Sequence, residues 1–154
     1  MHLKATIGLF IPQIAIQIYT LLDKVMIGVI IDDKSEVGYY DQAQKIIKIL
    51  LTVVTSLGTV MIPRMANTFA NGDMKQIKEY MKKSFRFVYI ISIPMIFGII
   101  AVSDKFVPIF FGAGYEKVSI IMKVISPILL IIGLSNAIGS QYLLPTKRQK
   151  EFTI

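Results

Sequence analysis

Asp23 and Lys24 stand inside an apolar run, with Leu9 to Leu22 before them and Val25 to Ile31 after. A charged side chain at the centre of a bilayer-spanning helix costs roughly 2.5–3.5 kcal/mol on insertion scales, so such residues face a bundle interior or a water-filled cavity. Gln13, Gln17, Thr20 and Lys24 recur at steps of four, three and four, which puts them on a narrow arc of one helical face with Asp23 at its edge. Further along, Asp41, Lys45, Lys48, Thr52, Thr55 and Thr59 step by four and three in alternation, while Ile47, Ile49, Leu50, Leu51, Val53 and Val54 take the other faces. Such stripes do not face lipid. The lysines among them suit an anionic cargo.

Each group also has an architectural reading. Thr and Gln serve as interhelical hydrogen-bonding groups in packed membrane bundles. Lys45 and Lys48 can snorkel to the interface. Asp23 can pair with a cation on a neighbouring helix or screen Lys24, and against these stands a transport role. The three lysines Lys24, Lys45 and Lys48 together favour an anionic cargo. Covalent chemistry has no support. The sequence has no Cys, its one His is the terminal His2, and it contains no metal-ligand cluster, no phosphate-cradling glycine loop and no nucleophile with a His partner. The expectation is a protein that is not an enzyme and that uses no cofactor and no metal.

The elements that must carry these stripes are membrane helices. Hydrophobic residues make up 54% of the 154-residue chain, above the roughly 45–50% of soluble domains. A hydrocarbon core needs about 20 residues of helix, range roughly 17–25, and four stretches qualify or nearly so: A over 3–31, B over 41–62, C over 85–102 and D over 118–144. No period-two alternation supports a transmembrane barrel, so the predicted fold class is all-α, a polytopic transmembrane bundle of four spans. Span A is too long for a typical signal-peptide core and is expected to stay in the protein. Asn71, Gly72 and Asp73 predict a turn between B and C, followed by an amphipathic helix over 74–84 that suits the headgroup region; a solvated basic helix is the other reading. Pro108, Gly112 and Gly114 are the predicted breakers between C and D. Pro12, Pro94 and Pro127 mark kinks within spans. Gly133, Asn136, Ala137, Gly139 and Ser140 form a small and polar set suited to close helix contact.

Seventeen Lys and Arg against ten Asp and Glu give a formal charge of +7, and the membrane composition argues for anionic lipid or an anionic substrate and against nucleic acid. Arg64, Lys75, Lys78, Lys82, Lys83 and Arg86 cluster between B and C, Lys147, Arg148 and Lys150 follow D, and Asp32, Asp33 and Glu36 make the A–B turn acidic. By the positive-inside rule the B–C connection and both ends of the segment are cytoplasmic.

Several short motifs, in order, resemble one family. FIPQIAIQ over Phe10–Gln17, LDKVMIG over Leu22–Gly28, VGYYDQA over Val37–Ala43, Pro63–Arg64 followed by Gly72–Asp73, FFG over Phe110–Gly112 and QYLLP over Gln141–Pro145 are similar to the Wzx-type oligosaccharide-repeat-unit flippases. These belong to the multidrug/oligosaccharidyl-lipid/polysaccharide exporter superfamily. The resemblance implies two similar helical bundles around a central cavity, with residues 1–154 forming part of the second, C-terminal bundle and the first bundle of the same transporter as a partner. It implies a flippase that moves undecaprenyl-pyrophosphate-linked oligosaccharide repeat units across the bacterial cytoplasmic membrane for capsule, exopolysaccharide or O-antigen assembly. Its partners would be that lipid-linked oligosaccharide, membrane lipids and polysaccharide polymerase machinery. Asp23 and Lys24 match the acidic and basic positions of the LDKVMIG-like segment. The expected substrate-binding set is Lys24, Lys45, Lys48, Gln13, Gln17, Thr52 and Thr55, with Asp23 as a coupling or structural charge. Two rivals remain: a cation-coupled drug antiporter of the same superfamily, which calls for an acidic lumen, and a non-transporting membrane scaffold or remnant.

Overall fold

The computed structural model describes residues 14, 18, 21–22, 25–30 and 35–146. The chain divides into two units, Met1–Asp41 and Gln42–Ile154. In the first, residues 25–30 are helical, and Gly28 lies against Val37, whose Cγ2 would be 3.4 Å from an added Cβ. The described residues contain helices α1 (Ser35–Thr55), α2 (Leu57–Ala70), α3 (Met74–Phe111), α4 (Glu116–Ile125) and α5 (Ile128–Ile138), then a π-helical turn over Gly139–Leu143. No strand occurs among them, in keeping with the all-α expectation.

Among the described residues, three stretches are long and apolar enough to cross a membrane: Ser35–Ala70, Met74–Phe111 and Glu116–Leu143. They contain most or all of predicted spans B, C and D, with longer helices around the first two. Span A falls mostly outside the described residues. α1 and α2 are separated only at Ser56, whose backbone stays right-handed helical (φ −56°, ψ −34°). The turn at 71–73 is built as its residue types predict. Gly72 adopts φ 75°, its N–H donates to the Phe69 carbonyl and that of Asp73 to the Thr68 carbonyl, a paired closure that satisfies the orphan carbonyls of a helix end. Asp73 then starts α3 by accepting the Gln76 N–H at 2.9 Å, the role of a short carboxylate at an N-cap.

The residues expected to form a separate headgroup-plane helix run without interruption into span C as α3. Its 38 residues rise roughly 57 Å, about twice the thickness of a hydrocarbon core. Its longest uncharged run is 87–103, and both ends of α3 extend past that stretch. Pro108 is a correction to the sequence reading. It lies inside α3, because a proline removes one rung of the ladder and the helix can resume beyond it. The chain breaks instead at Gly112 and Gly114, with φ 91° and 97°. Pro127 does interrupt its span, between α4 and α5.

α3 is the central helix, packed against α2, α4 and α5. Its inward face presents Ile77, Ser84, Val88, Ser92, Ile99, Ser103 and Val107, all buried. Small residues at this face allow close approach in a medium where no hydrophobic effect drives helices together. The tightest point is Gly133 of α5. A Cβ there would lie 2.7 Å from Val54 Cγ1 and 2.8 Å from Val88 Cγ1, so this one residue lets α1, α3 and α5 meet.

Candidate functional site

The predicted polar stripe of span B is formed on α1. The packed face of α1 holds Ala43, Ile47 and Val54. At 100° per residue, Lys45, Lys48, Thr52 and Thr55 centre roughly 140° away from that face. Lys45, Lys48 and Thr52 are exposed and Thr55 is half-buried. The structure thus brings these four of the expected binding residues onto one face, turned away from α3 to α5. Gln13, Gln17, Asp23 and Lys24 lie outside the described residues.

The hydroxyls are used locally. Thr52 Oγ1 donates to the Ile49 carbonyl at 2.6 Å, Thr55 to Leu51 at 3.0 Å, Ser56 to Val53 at 2.7 Å and Thr59 to Ser56 at 2.8 Å. None of these bonds crosses to another helix. The interhelical reading of Thr52, Thr55 and Thr59 therefore does not describe their donor bonds. A threonine whose proton is held by its own helix presents acceptor lone pairs outward, a surface that suits donors such as sugar hydroxyls. The back-bonds cluster at the α1–α2 break, where serine and threonine hydroxyls compete with the backbone ladder.

The lysines sit at a definite level in the bundle. Ile46 and Leu50 of α1 share an apolar groove of about 280 Å³ with Met95, Ile99, Val102 and Phe106 of α3. Lys45 and Lys48 are thereby placed beside the end of α3 that carries Asp104, at the start of an uncharged run that extends from 49 to 63.

Of two further polar clusters, one was not singled out from the sequence, and the other contains Asn136 of the small and polar set expected to favour close helix contact. Asp104 of α3 accepts from Ser119 at 2.7 Å and pairs with Lys123, whose Nζ is 2.6 Å from both carboxylate oxygens. The available signal was Ser119 and Lys123 at i and i+4 across a tight glycine turn from an acid. The second cluster is amide-based. Gln141 is buried in the π-turn, donates to Asn136 Oδ1 at 3.3 Å, and with Asn136 closes over Gly58 of α2, where a Cβ would meet both side chains at 3.1 and 3.4 Å. The amide–amide hydrogen bond lies within α5 and the π-turn, and Gly58, having no side chain, lets α2 pack closely against it.

The family described as "Polysaccharide biosynthesis protein" matches residues 3–120, and the chain belongs to that family. It is 27% identical over 144 residues to the "Putative O-antigen transporter" of Escherichia coli (strain K12), covering 94% of this chain and 34% of that protein. It is 24% identical over 123 residues to the "Probable low-salt glycan biosynthesis flippase Agl15" of Haloferax volcanii, covering 76% of this chain and 26% of that protein. The chain spans about a third and a quarter of the lengths of these curated relatives. No solved structure matches it. These matches bear out the resemblance to polysaccharide flippases, and with the three apolar helices among the described residues they support a multi-pass membrane protein.

Proposed function

We propose that the protein acts in a flippase that moves undecaprenyl-pyrophosphate-linked oligosaccharide repeat units across the bacterial cytoplasmic membrane, for capsule, exopolysaccharide or O-antigen assembly. The observation that carries the reading is a cationic and hydroxyl-bearing face on an apolar helix of a polysaccharide biosynthesis family member. Lys45 and Lys48 bind the pyrophosphate, the part of the cargo most costly to desolvate, through charge-assisted hydrogen bonds. Thr52 and Thr55 accept hydrogen bonds from sugar hydroxyls. Lys24, Gln13 and Gln17 extend the same set on sequence grounds, and Asp23 couples or orients. The lipid tail stays in the bilayer while this bundle and the first bundle of the same transporter rock to alternate access. No bond of the cargo is made or broken, so the protein is not an enzyme; polymerase machinery would act on the delivered unit.

The test is Lys45→Gln with Lys48→Gln in cells whose export depends on the protein. A hydrogen bond to a charged group is worth about 1.5–3 kcal/mol, so losing two lowers export of lipid-linked sugar by at least about tenfold at unchanged membrane insertion. Undiminished export at matched protein level removes the two lysines from the site.

A further inference from the structure

The N-terminal third of α3 carries a surface that the α1 stripe does not use. Met74, Ile77, Lys78, Met81 and Phe85 line a trough of about 380 Å³ with Tyr142 of the π-turn. At 100° per residue Lys78 borders the arc of Met74, Met81 and Phe85, and Lys82, Lys75 and Arg86 follow next around the helix. All four cations are exposed. Between 74 and 86 five cations face one carboxylate, Glu79, which binds Lys82 at 2.8 Å.

The trough is polarised along its length. Phe85 adjoins the uncharged stretch of α3 over 87–103, and Lys78 lies seven residues, roughly 10 Å, further out. The apolar end meets the hydrocarbon and the cationic rim stands beyond it, at headgroup level. A soluble anion would use only the rim and leave the methionine and phenylalanine wall uncovered. A molecule with a negative headgroup and a hydrocarbon chain matches both.

We propose that this trough holds an anionic phospholipid of the bilayer, its phosphate on Lys75, Lys78 and Lys82 and an acyl chain running past Met81 and Phe85 into the membrane. The inference is independent of the cargo assigned above. Lysines that merely snorkel would attract anionic lipid diffusely and would not fix a chain against Met81 and Phe85.

The test reconstitutes the protein in phosphatidylcholine nanodiscs carrying a trace of photoactivatable phosphatidylglycerol, with photoactivatable phosphatidylcholine in a parallel set, and maps the adducts by mass spectrometry. Adducts on Met81, Phe85 or Tyr142 are expected to favour phosphatidylglycerol by at least roughly tenfold, since each lysine at the surface adds to the attraction for an anionic lipid. Lys75→Gln, Lys78→Gln and Lys82→Gln together bring the ratio to about one, whereas the three Arg replacements keep it. Should the glutamine variant fail to insert, the wild-type protein decides alone: the preference falls as salt rises. Equal labelling by the two probes overturns the proposal, as does a preference that survives the glutamine changes or high salt. Loss of the preference on adding inorganic pyrophosphate at matched ionic strength assigns the cations to a soluble anion and overturns it as well.

Discussion

Lys123 sets its ammonium nitrogen 2.6 Å from both carboxylate oxygens of Asp104, fastening α4 to the end of α3 across the turn at 112–115. Both side chains keep contact with the surroundings, Asp104 more than Lys123, and exposed pairs are screened and individually weak. Asp104→Asn and Lys123→Gln are each expected to lower the melting temperature in detergent slightly, by less than the core changes discussed next. The double variant should lose less than the sum of the two. A thermal-unfolding double-mutant cycle at low and high salt checks this; additive losses that ignore salt would show that the pair does not hold the turn.

Gly133 makes a stronger demand. An added methyl would approach Val54 and Val88 to 2.7 and 2.8 Å, well inside ordinary contact, and overpacking of this kind costs about 1–3 kcal/mol. Gly133→Ala is expected to destabilise the bundle by that amount. Val54→Ala in the same chain should recover part of the loss, because it removes one of the two opposing methyls. Thermal unfolding of the three variants in detergent decides; a fully tolerated Gly133→Ala would mean that the helices are not this close.

Thr52 and Thr55 separate binding from architecture. Each donates to a carbonyl of its own helix, so Thr52→Val at an exposed position with Thr55→Val at a half-buried one removes no bond between helices and should change stability by no more than about 1 kcal/mol. Sugar export should nonetheless fall several-fold, and the Ser replacements, which keep the outward lone pairs, should restore it. Intact export with valine at both positions would take the hydroxyls out of the cargo site.

These contrasts show where the sequence was legible. The α1 stripe could be read because helical period alone fixes which side chains share a face, and the turn at 71–73 because Gly72 and Asp73 have few other uses at a helix boundary. What the stripe's hydroxyls bond to could not be read, since Thr in a membrane helix reaches a neighbour or its own backbone with equal ease. The full length of α3 was hidden by Pro108, whose single missing rung looks the same in sequence whether a helix ends or continues. The Gln141–Asn136–Gly58 contact was hidden for a different reason: a π-turn adds a residue to the helical register, so projection at 100° per residue puts Gln141 on the wrong side. Asp104 and Lys123 meet only because the chain reverses at Gly112 and Gly114, and pairing across a turn depends on its geometry.

Orientation in the membrane is open to a direct check. Lys75, Lys78, Lys82, Lys83 and Arg86 all fall on the first part of α3, and the acidic Asp32, Asp33 and Glu36 precede or open α1, so the positive-inside rule puts the start of α3 in the cytoplasm and the start of α1 outside. Gln76 and Ser35 are both exposed, and the absence of native Cys leaves no labelling background. A Cys at position 76 is expected to be shielded from an impermeant thiol reagent in intact cells and to react once the cells are opened, whereas a Cys at position 35 reacts from outside. Labelling in the opposite sense would invert the topology. Lys45 and Lys48, which the shared groove places near the far end of α3, would then stand on the cytoplasmic side, and the pyrophosphate would meet them on loading instead of on release.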